Sequence, residues 1–405
     1  MYLRYAMFLI FLLIGMPLFV SCGNGATGSG NAGGGDPPFP NLINLNDIIT
    51  KGDLVDVQTF GADPSGATDS TSAIQNAINA ATTQYSSTQM NFYTAQSQRP
   101  IFFPAGTYLI SSTLDLSFRN DITIVFVPGA KLLWNGATDG TMIELRCSSR
   151  VQLIDLTLDG NGLVGTFIHH SGNGTSEISA THDALTGKGA VSLNFYQNVY
   201  FKNQRANSVK SMLDTNPYSS DSSNPWYYGM DDSTLYFPMF YSGGANGFAL
   251  GGAQGLVLYS PEFVGVNGVH FIAAGGGYLR LYSPVFSLAG TNDGAFFADN
   301  NSYIGDIEVF DGYLENTANP LFSFALGATA GGIRTLALYG GLYQQNTGAI
   351  AFISVPPVVQ PGSIYIDGAR SQGVQPLIID APNSFVSINS TSLNGGFVVK
   401  NASFQ

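Results

Sequence analysis

Beyond residue 240 the chain repeats, and that repeat limits its fold more than any other feature. Leu256, Leu279, Ile307, Leu336, Ile364 and Val386 recur at spacings of 23, 28, 29, 28 and 22 residues. Each opens a short alternating run, as in Leu256/Leu258, Leu279/Leu281 and Ile307/Val309. A second strand recurs after a small residue or proline, at Gly247, Gly268, Gly294, Pro320, Gly348, Pro376 and Gly396. Two strands and a turn per repeat, with no helix between, predict a coiled β-solenoid. Each coil then pairs with the next at about 4.8 Å, so residues one repeat apart become vertical neighbours. The 49 glycines and only 10% charged residues suit such a turn-rich architecture.

The upstream sequence predicts a start for the solenoid. Asp69–Ala81 reads as a helix, with Asp69 or Ser70 as its cap and Ala73, Ile74, Ala77, Ile78 and Ala81 as its apolar face. A helix there would close the open N-terminal end of the stack. The segments 122–127, 151–158 and 191–195 read as strands of period two. At the very beginning, Arg4 precedes an apolar run from Ala6 to Val20 that is short for a membrane-spanning helix. Leu18-Phe19-Val20-Ser21-Cys22 resembles a bacterial lipobox, with Phe19 where leucine is usual. Residues 1–21 are therefore expected to be an export signal and Cys22 a lipidation site tying the protein to the outer or cytoplasmic membrane. An ordinary cleaved signal with an incidental cysteine is the alternative. Residues 22–45, rich in Gly, Asn and Pro, read as a tether, and 46–405 as one β-helix domain. Cys147, the second cysteine, alternates with Ile143 and Leu145 and reads as a packed residue.

Val55-Asp-Val-Gln-Thr-Phe-Gly-Ala-Asp-Pro-Ser-Gly-Ala-Thr-Asp-Ser-Thr-Ser-Ala-Ile-Gln-Asn-Ala-Ile78 resembles the opening of the pectate-lyase-like superfamily, in its rhamnogalacturonase/epimerase-like version. Phe102-Phe-Pro-Ala-Gly-Thr-Tyr-Leu-Ile110, Pro128-Gly-Ala-Lys-Leu132 and Leu156-Thr-Leu-Asp-Gly-Asn-Gly162 continue that resemblance in order. The resemblance implies an all-β fold, a single-stranded right-handed parallel β-helix, and polysaccharide as the substrate class. It leaves the reaction open, because one fold hosts many chemistries.

The chemistry is less legible. The polygalacturonase-like motifs (Asn-Thr-Asp, Asp-Asp, Gly-His-Gly and Arg-x-Lys) are absent in that form; Asp231-Asp232 sits in an irregular stretch and Asn292-Asp293-Gly294 is the nearest approach to the first. Asp293 also falls at the repeat position of Asn246, Asn267, Asn319, Thr347 and Gln375, which reads as a polar ladder. In the other strand Tyr259, Tyr282, Phe310 and Tyr339 recur one repeat apart, a column whose ring faces could stack sugars. Two residues earlier, Arg280 and Glu308 should meet in adjacent coils, and Arg280 joins the column as a candidate substrate-binding residue. Glu308, Asp311 and Glu262 are candidate catalytic acids, with Asp293 as a fourth beside its ladder reading and Asp306 and Glu315 close by in sequence; Glu262 and Asp311 would stand two rungs apart, about 10 Å. The histidines show no metal-ligand spacing, so no metal or cofactor is expected. His270 reads as a packed residue in register with Phe296, Phe322 and Ile350, and His169-His170 as part of a projecting turn.

Net charge is −12, with no basic stripe, which argues against nucleic acid. Two readings stay open: a glycan-active hydrolase or lyase, and a non-catalytic glycan-binding or structural surface protein. A second copy of the chain is a further candidate cover for the aromatic column.

Overall fold

The computed structural model describes residues 42–50, 52–85, 98–146, 148–170, 194–206, 208–215, 233–241, 246–250, 255–271, 278–288, 295–298, 303–316, 322–324, 332–345, 353–354, 362–371, 377–382, 384–389, 392–393, 397–400 and 403–404. Cys22, Cys147, Asp231-Asp232 and Asp293 lie outside the described residues. Among the described residues no helix is long and apolar enough to cross a membrane.

The domain from Ile43 onward is a right-handed parallel β-helix. Its strands form three sheets of 13, 12 and 11 strands, and beyond the first coil each strand pairs with the third strand before and, short of the last coil, the third after it. Each coil thus contributes three strands, one more than the repeat suggests. The extra one belongs to the second sheet, several of whose members, such as Glu262–Val264 and Thr157–Asp159, are only three residues long. Segment 151–158 shows why it was hidden. It holds two strands, Gln152–Ile154 and Thr157–Asp159, broken by Asp155 in the left-handed region at φ 59°.

That left-handed residue recurs at the corner between first and second sheets: Asn198, Phe237, Ser260, Ser283 and Asp311 all have φ between 45° and 50-odd degrees. Glycine takes over at Gly340 (φ 66°), where a Cβ would collide with Asp311 Oδ1. The corner carries its own polar rung, with Asn198 Nδ2 donating to Asp155 Oδ1 at 2.6 Å.

The repeat anchors pair as their spacing demands. Leu256↔Leu279↔Ile307↔Leu336↔Ile364↔Val386 forms one continuous column in the first sheet, all buried. The ladder Asn246↔Asn267 is in register as well. His270 departs from expectation: it pairs with Phe297, while Val269 pairs with Phe296. A slip of one residue moves a side chain to the opposite face, so the inward column is Val269, Phe296, Phe322, Ile353.

Inside the coil, aromatic rings stack from rung to rung. Phe201, Phe240, Phe263 and Phe286 follow one another at 4.9, 4.5 and 4.5 Å between centroids, within 11° of parallel.

The N-terminal end is covered as expected, with a shifted boundary. Ser65–Asp69 is a strand of the second sheet, and the helix after it, Thr71–Ala81, buries Ile74, Ala77, Ile78 and Ala81. Ser70 makes no side-chain cap; Asp69 accepts instead from the Thr71 backbone at 3.0 Å and its hydroxyl at 2.6 Å. Gln75 clamps the outermost strand of the third sheet, accepting from the Asp115 N–H and donating to its carbonyl, both at 2.9 Å. An edge that would otherwise template another chain is thereby satisfied.

Phe263 sits mid-stack with no exposure, so Phe263→Ala should destabilise the domain by about 3–5 kcal/mol. Chemical denaturation followed by tryptophan fluorescence and circular dichroism measures it; a loss under about 1 kcal/mol would show the internal ring stack to be incidental.

Candidate functional site

Three consecutive rungs of the third sheet place acid, imidazole and acid in one outward column. Strands Thr141–Glu144, Thr166–His169 and Ser211–Asp214 pair with Glu144↔His169↔Asp214 opposite one another. Their neighbours Ile143, Ile168 and Leu213 are buried and fix the register. Asp115 precedes the column, opposite Glu144. It is occupied by the N-terminal cap, accepting from Gln84 Nε2 at 3.2 Å and the Ser117 N–H at 2.9 Å.

His169 Nδ1 lies 3.1 Å from the Glu144 carboxylate, the two side chains being 14% and 17% exposed. A carboxylate there holds the proton on Nδ1 and leaves Nε2 to accept. With rungs about 4.8 Å apart, Glu144 and Asp214 stand about 9.6 Å apart along the helix axis, with His169 between them. That arrangement can take a proton on one side of a bound group and return one on the other. Among the described residues no three His, Cys, Asp or Glu side chains gather as a metal-ligand group.

His169 closes a strand rather than lying in a projecting turn. Its neighbour His170 is fully buried, with the Tyr196 hydroxyl 2.5 Å from Nδ1 and the Ser148 carbonyl 3.3 Å from Nε2. Burial pushes its pKa down to about 3, so it is a neutral part of the core. Sequence reasoning passed over His169 because the signal needed is a register: Glu144 precedes it by 25 residues and Asp214 follows by 45.

The aromatic column on the first sheet is present and longer than expected. Tyr236, Tyr259, Tyr282, Phe310 and Tyr339 stack at 4.8–4.9 Å within 17° of parallel. The rings therefore spend their faces on each other; Tyr236 is buried, while Tyr339 at the far end is 37% exposed. Burial, with the neighbouring Tyr259, pushes Tyr236 up to about 12. Arg280 forms an ion pair with Glu308 at 2.6 Å and lies 6.0 Å from the Phe310 centroid. Arg334 pairs with Asp306 in the same manner, Nε to Oδ1 at 2.9 Å.

The other acids disperse. Asp311 is exposed at the corner. Glu262 and Glu315 belong to the second sheet in different columns, Glu262 with Val285 and Tyr313, Glu315 with Ser287 and Gln344. Glu315 accepts from the Tyr313 hydroxyl at 2.9 Å. Burial, followed by this bond, pushes Tyr313 up to about 12. Burial raises the Tyr241 phenol too, and its hydrogen bond to Glu262 raises it further.

Residues 54–257, half of the chain, match the family described as Rhamnogalacturonase A/epimerase, pectate lyase-like. Among curated proteins none matches in sequence. Of solved structures, the A-module of mannuronan C-5 epimerase AlgE4 from Azotobacter vinelandii superposes with TM-score 0.52 at 14% identity, covering 86% of this chain and 97% of the module. A polygalacturonase from Erwinia carotovora ssp. carotovora gives 0.50 at 12%, covering 85% and 95%. The Acinetobacter phage vB_ApiP_P1 tailspike gives 0.51 at 13%, covering 85% of this chain and 59% of the tailspike. The chain likewise spans 63% of a Geobacillus virus E2 protein, ORF18. At these identities the likeness is one of fold.

Two outcomes follow from the geometry. Tyr259→Ala removes two stacked contacts worth about 0.5–1.5 kcal/mol each, so denaturation should report a loss of about 1–3 kcal/mol; no loss would mean that the column contributes nothing to the fold. For His170 the unfolded chain takes a proton near its ordinary value of 6.5 while the folded chain resists until about 3. Its contribution is full above pH 6.5 and falls away as pH drops toward 3. The stability-versus-pH slope in that window should flatten in His170→Gln; an unchanged slope would place the titration elsewhere.

Proposed function

The chain belongs to the rhamnogalacturonase A/epimerase, pectate lyase-like family, and from that premise we propose that it is an exported polysaccharide hydrolase working on the outer face of the third sheet. The observation that carries this reading is the Glu144–His169–Asp214 column, with His169 already held 3.1 Å from Glu144. Glu144 orients the imidazole, and His169 Nε2 removes a proton from water as its oxygen bonds to the anomeric carbon. Asp214, as the acid, protonates the departing glycosidic oxygen. Asp214 stands one rung, about 4.8 Å, beyond His169, so base and acid lie on neighbouring rungs of one face.

The N-terminal sequence supports export, with Cys22 as the anchor to a membrane and the catalytic domain outside. Glu308 and Glu262, acids prominent in the sequence, take supporting parts here: Glu308 is bound to Arg280 and Glu262 to Tyr241. A second reading, a non-catalytic glycan-binding surface protein, is favoured by the first-sheet column. There the edges of Tyr259, Tyr282, Phe310 and Tyr339, with Arg280, form a continuous outward strip.

Release of reducing ends from a panel of neutral and acidic polysaccharides tests the first reading, with ultraviolet absorbance of unsaturated ends reporting a lyase. His169→Ala and Glu144→Gln should each lower kcat by about 10²–10⁴-fold. Turnover that survives both substitutions would overturn the assignment. Binding without turnover, abolished by Tyr282→Ala, would leave the binding module.

A further inference from the structure

The second sheet gathers two lysines around one buried carboxylate beside two tyrosines, with Glu262 on the far side of the patch, bonded to Tyr241. Lys131 Nζ and Lys202 Nζ each lie 3.6 Å from the same oxygen, Asp159 Oδ2. Two ammonium groups thus share one carboxylate, on a chain with 15 basic residues against 27 acidic ones. At 3.6 Å both contacts are longer than the 2.7–2.9 Å of a charge-assisted hydrogen bond. Each ammonium has three donors, and both side chains are about one-third exposed.

Asp159 itself is fixed and only 5% exposed. Its Oδ1 accepts from Asn203 Nδ2 at 3.0 Å and the Asn161 N–H at 3.1 Å. Burial raises its pKa, yet those bonds and the two lysines outweigh it and hold the carboxyl below the usual range. Asp159 therefore stays ionised and positions the lysines without neutralising both.

Beside them the sheet presents an aromatic wall. Tyr200 lies on the same strand as Lys202, whose Nζ is 5.7 Å from the ring centroid. The Tyr241 ring meets Tyr200 edge-on at 5.2 Å. Burial, with the Glu262 carboxylate nearby, raises both phenols, so they stay neutral; the Tyr241 hydroxyl is engaged by Glu262. Unlike the first-sheet rings, these two are not stacked face to face, which leaves ring face available to the CH side of a sugar.

We infer that the outer face of the second sheet, at Lys131, Lys202, Tyr200 and Tyr241, is a separate non-catalytic site for an anionic sugar unit, carboxylated or sulfated. The lysines take the anion and the tyrosines take the ring. This site lies on a different sheet from Glu144, His169 and Asp214 and holds whether or not those residues are catalytic.

Calorimetric titration of the full-length protein with polygalacturonate, dextran sulfate and neutral dextran tests it, with His169→Ala as the background for removing turnover. Polygalacturonate or dextran sulfate should bind, neutral dextran should bind at least tenfold more weakly, and the better of the two anions names the ligand group. Lys131→Gln combined with Lys202→Gln should weaken the anionic probe at least tenfold, and Tyr200→Ala should weaken it without changing the salt dependence. Lys202→Arg, which keeps the charge, should retain binding and controls for folding. Unchanged affinity in the double variant, equal binding of neutral dextran, no binding of either anion, or binding that disappears in His169→Ala alone would each overturn the site.

Discussion

Parallel pairing of each strand with the strand one coil away is the constraint on which everything else in this molecule rests. A backbone amide in one rung bonds the carbonyl of the next, so the rungs keep one spacing and one register. A side chain then has its own columnar neighbours above and below, whatever the loop length between them. In the first sheet the pairing runs from Val55 at one end to Phe404 at the other. Such a stack has exposed ends, and at the N-terminal one Thr71–Ala81 and the Gln75 clamp on Asp115 satisfy what pairing leaves open.

Columns make like side chains meet, and the physics of each meeting decides its use. Phenylalanines inside the coil stack at about the rung spacing and fill the core. The tyrosines outside do the same, and in doing so they give up the ring faces that an isolated surface tyrosine would offer. Opposite charges in adjacent rungs pair, as Arg280 with Glu308 and Arg334 with Asp306, which ties the most acidic stretch of the sequence into the surface of the sheet. The same rule brings Glu144, His169 and Asp214 together on the third sheet, and Lys131, Asp159 and Lys202 on the second.

Much of the fold was legible because its period is written in apolar residues. The column from Leu256 to Val386, the stacked Tyr259–Tyr339 series and the Arg280–Glu308 pair all follow from counting repeats. The second sheet was not legible, since three-residue strands such as Glu262–Val264 are too short to show a period of two. Its corner is marked by single left-handed residues as different as Asp155, Phe237 and Ser283. Nor was the third-sheet column: its spacings of 25 and 45 residues reflect an irregular chain between rungs, so no fixed count connects Glu144 to His169 or His169 to Asp214.

The amino-acid sequence by itself determined that this chain coils, because alternating apolar residues at a recurring interval can bury their inward face only against the next turn. It also determined the family motifs of residues 55–162 and the apolar side of the capping helix. Only the tertiary structure decided which polar side chains share a column, which ring faces are spent, and which acids are ion-paired. Those outcomes depend on register across loops of unequal length, where a single residue decides which side chains share the core column, as the pairing of Val269 rather than His270 with Phe296 illustrates.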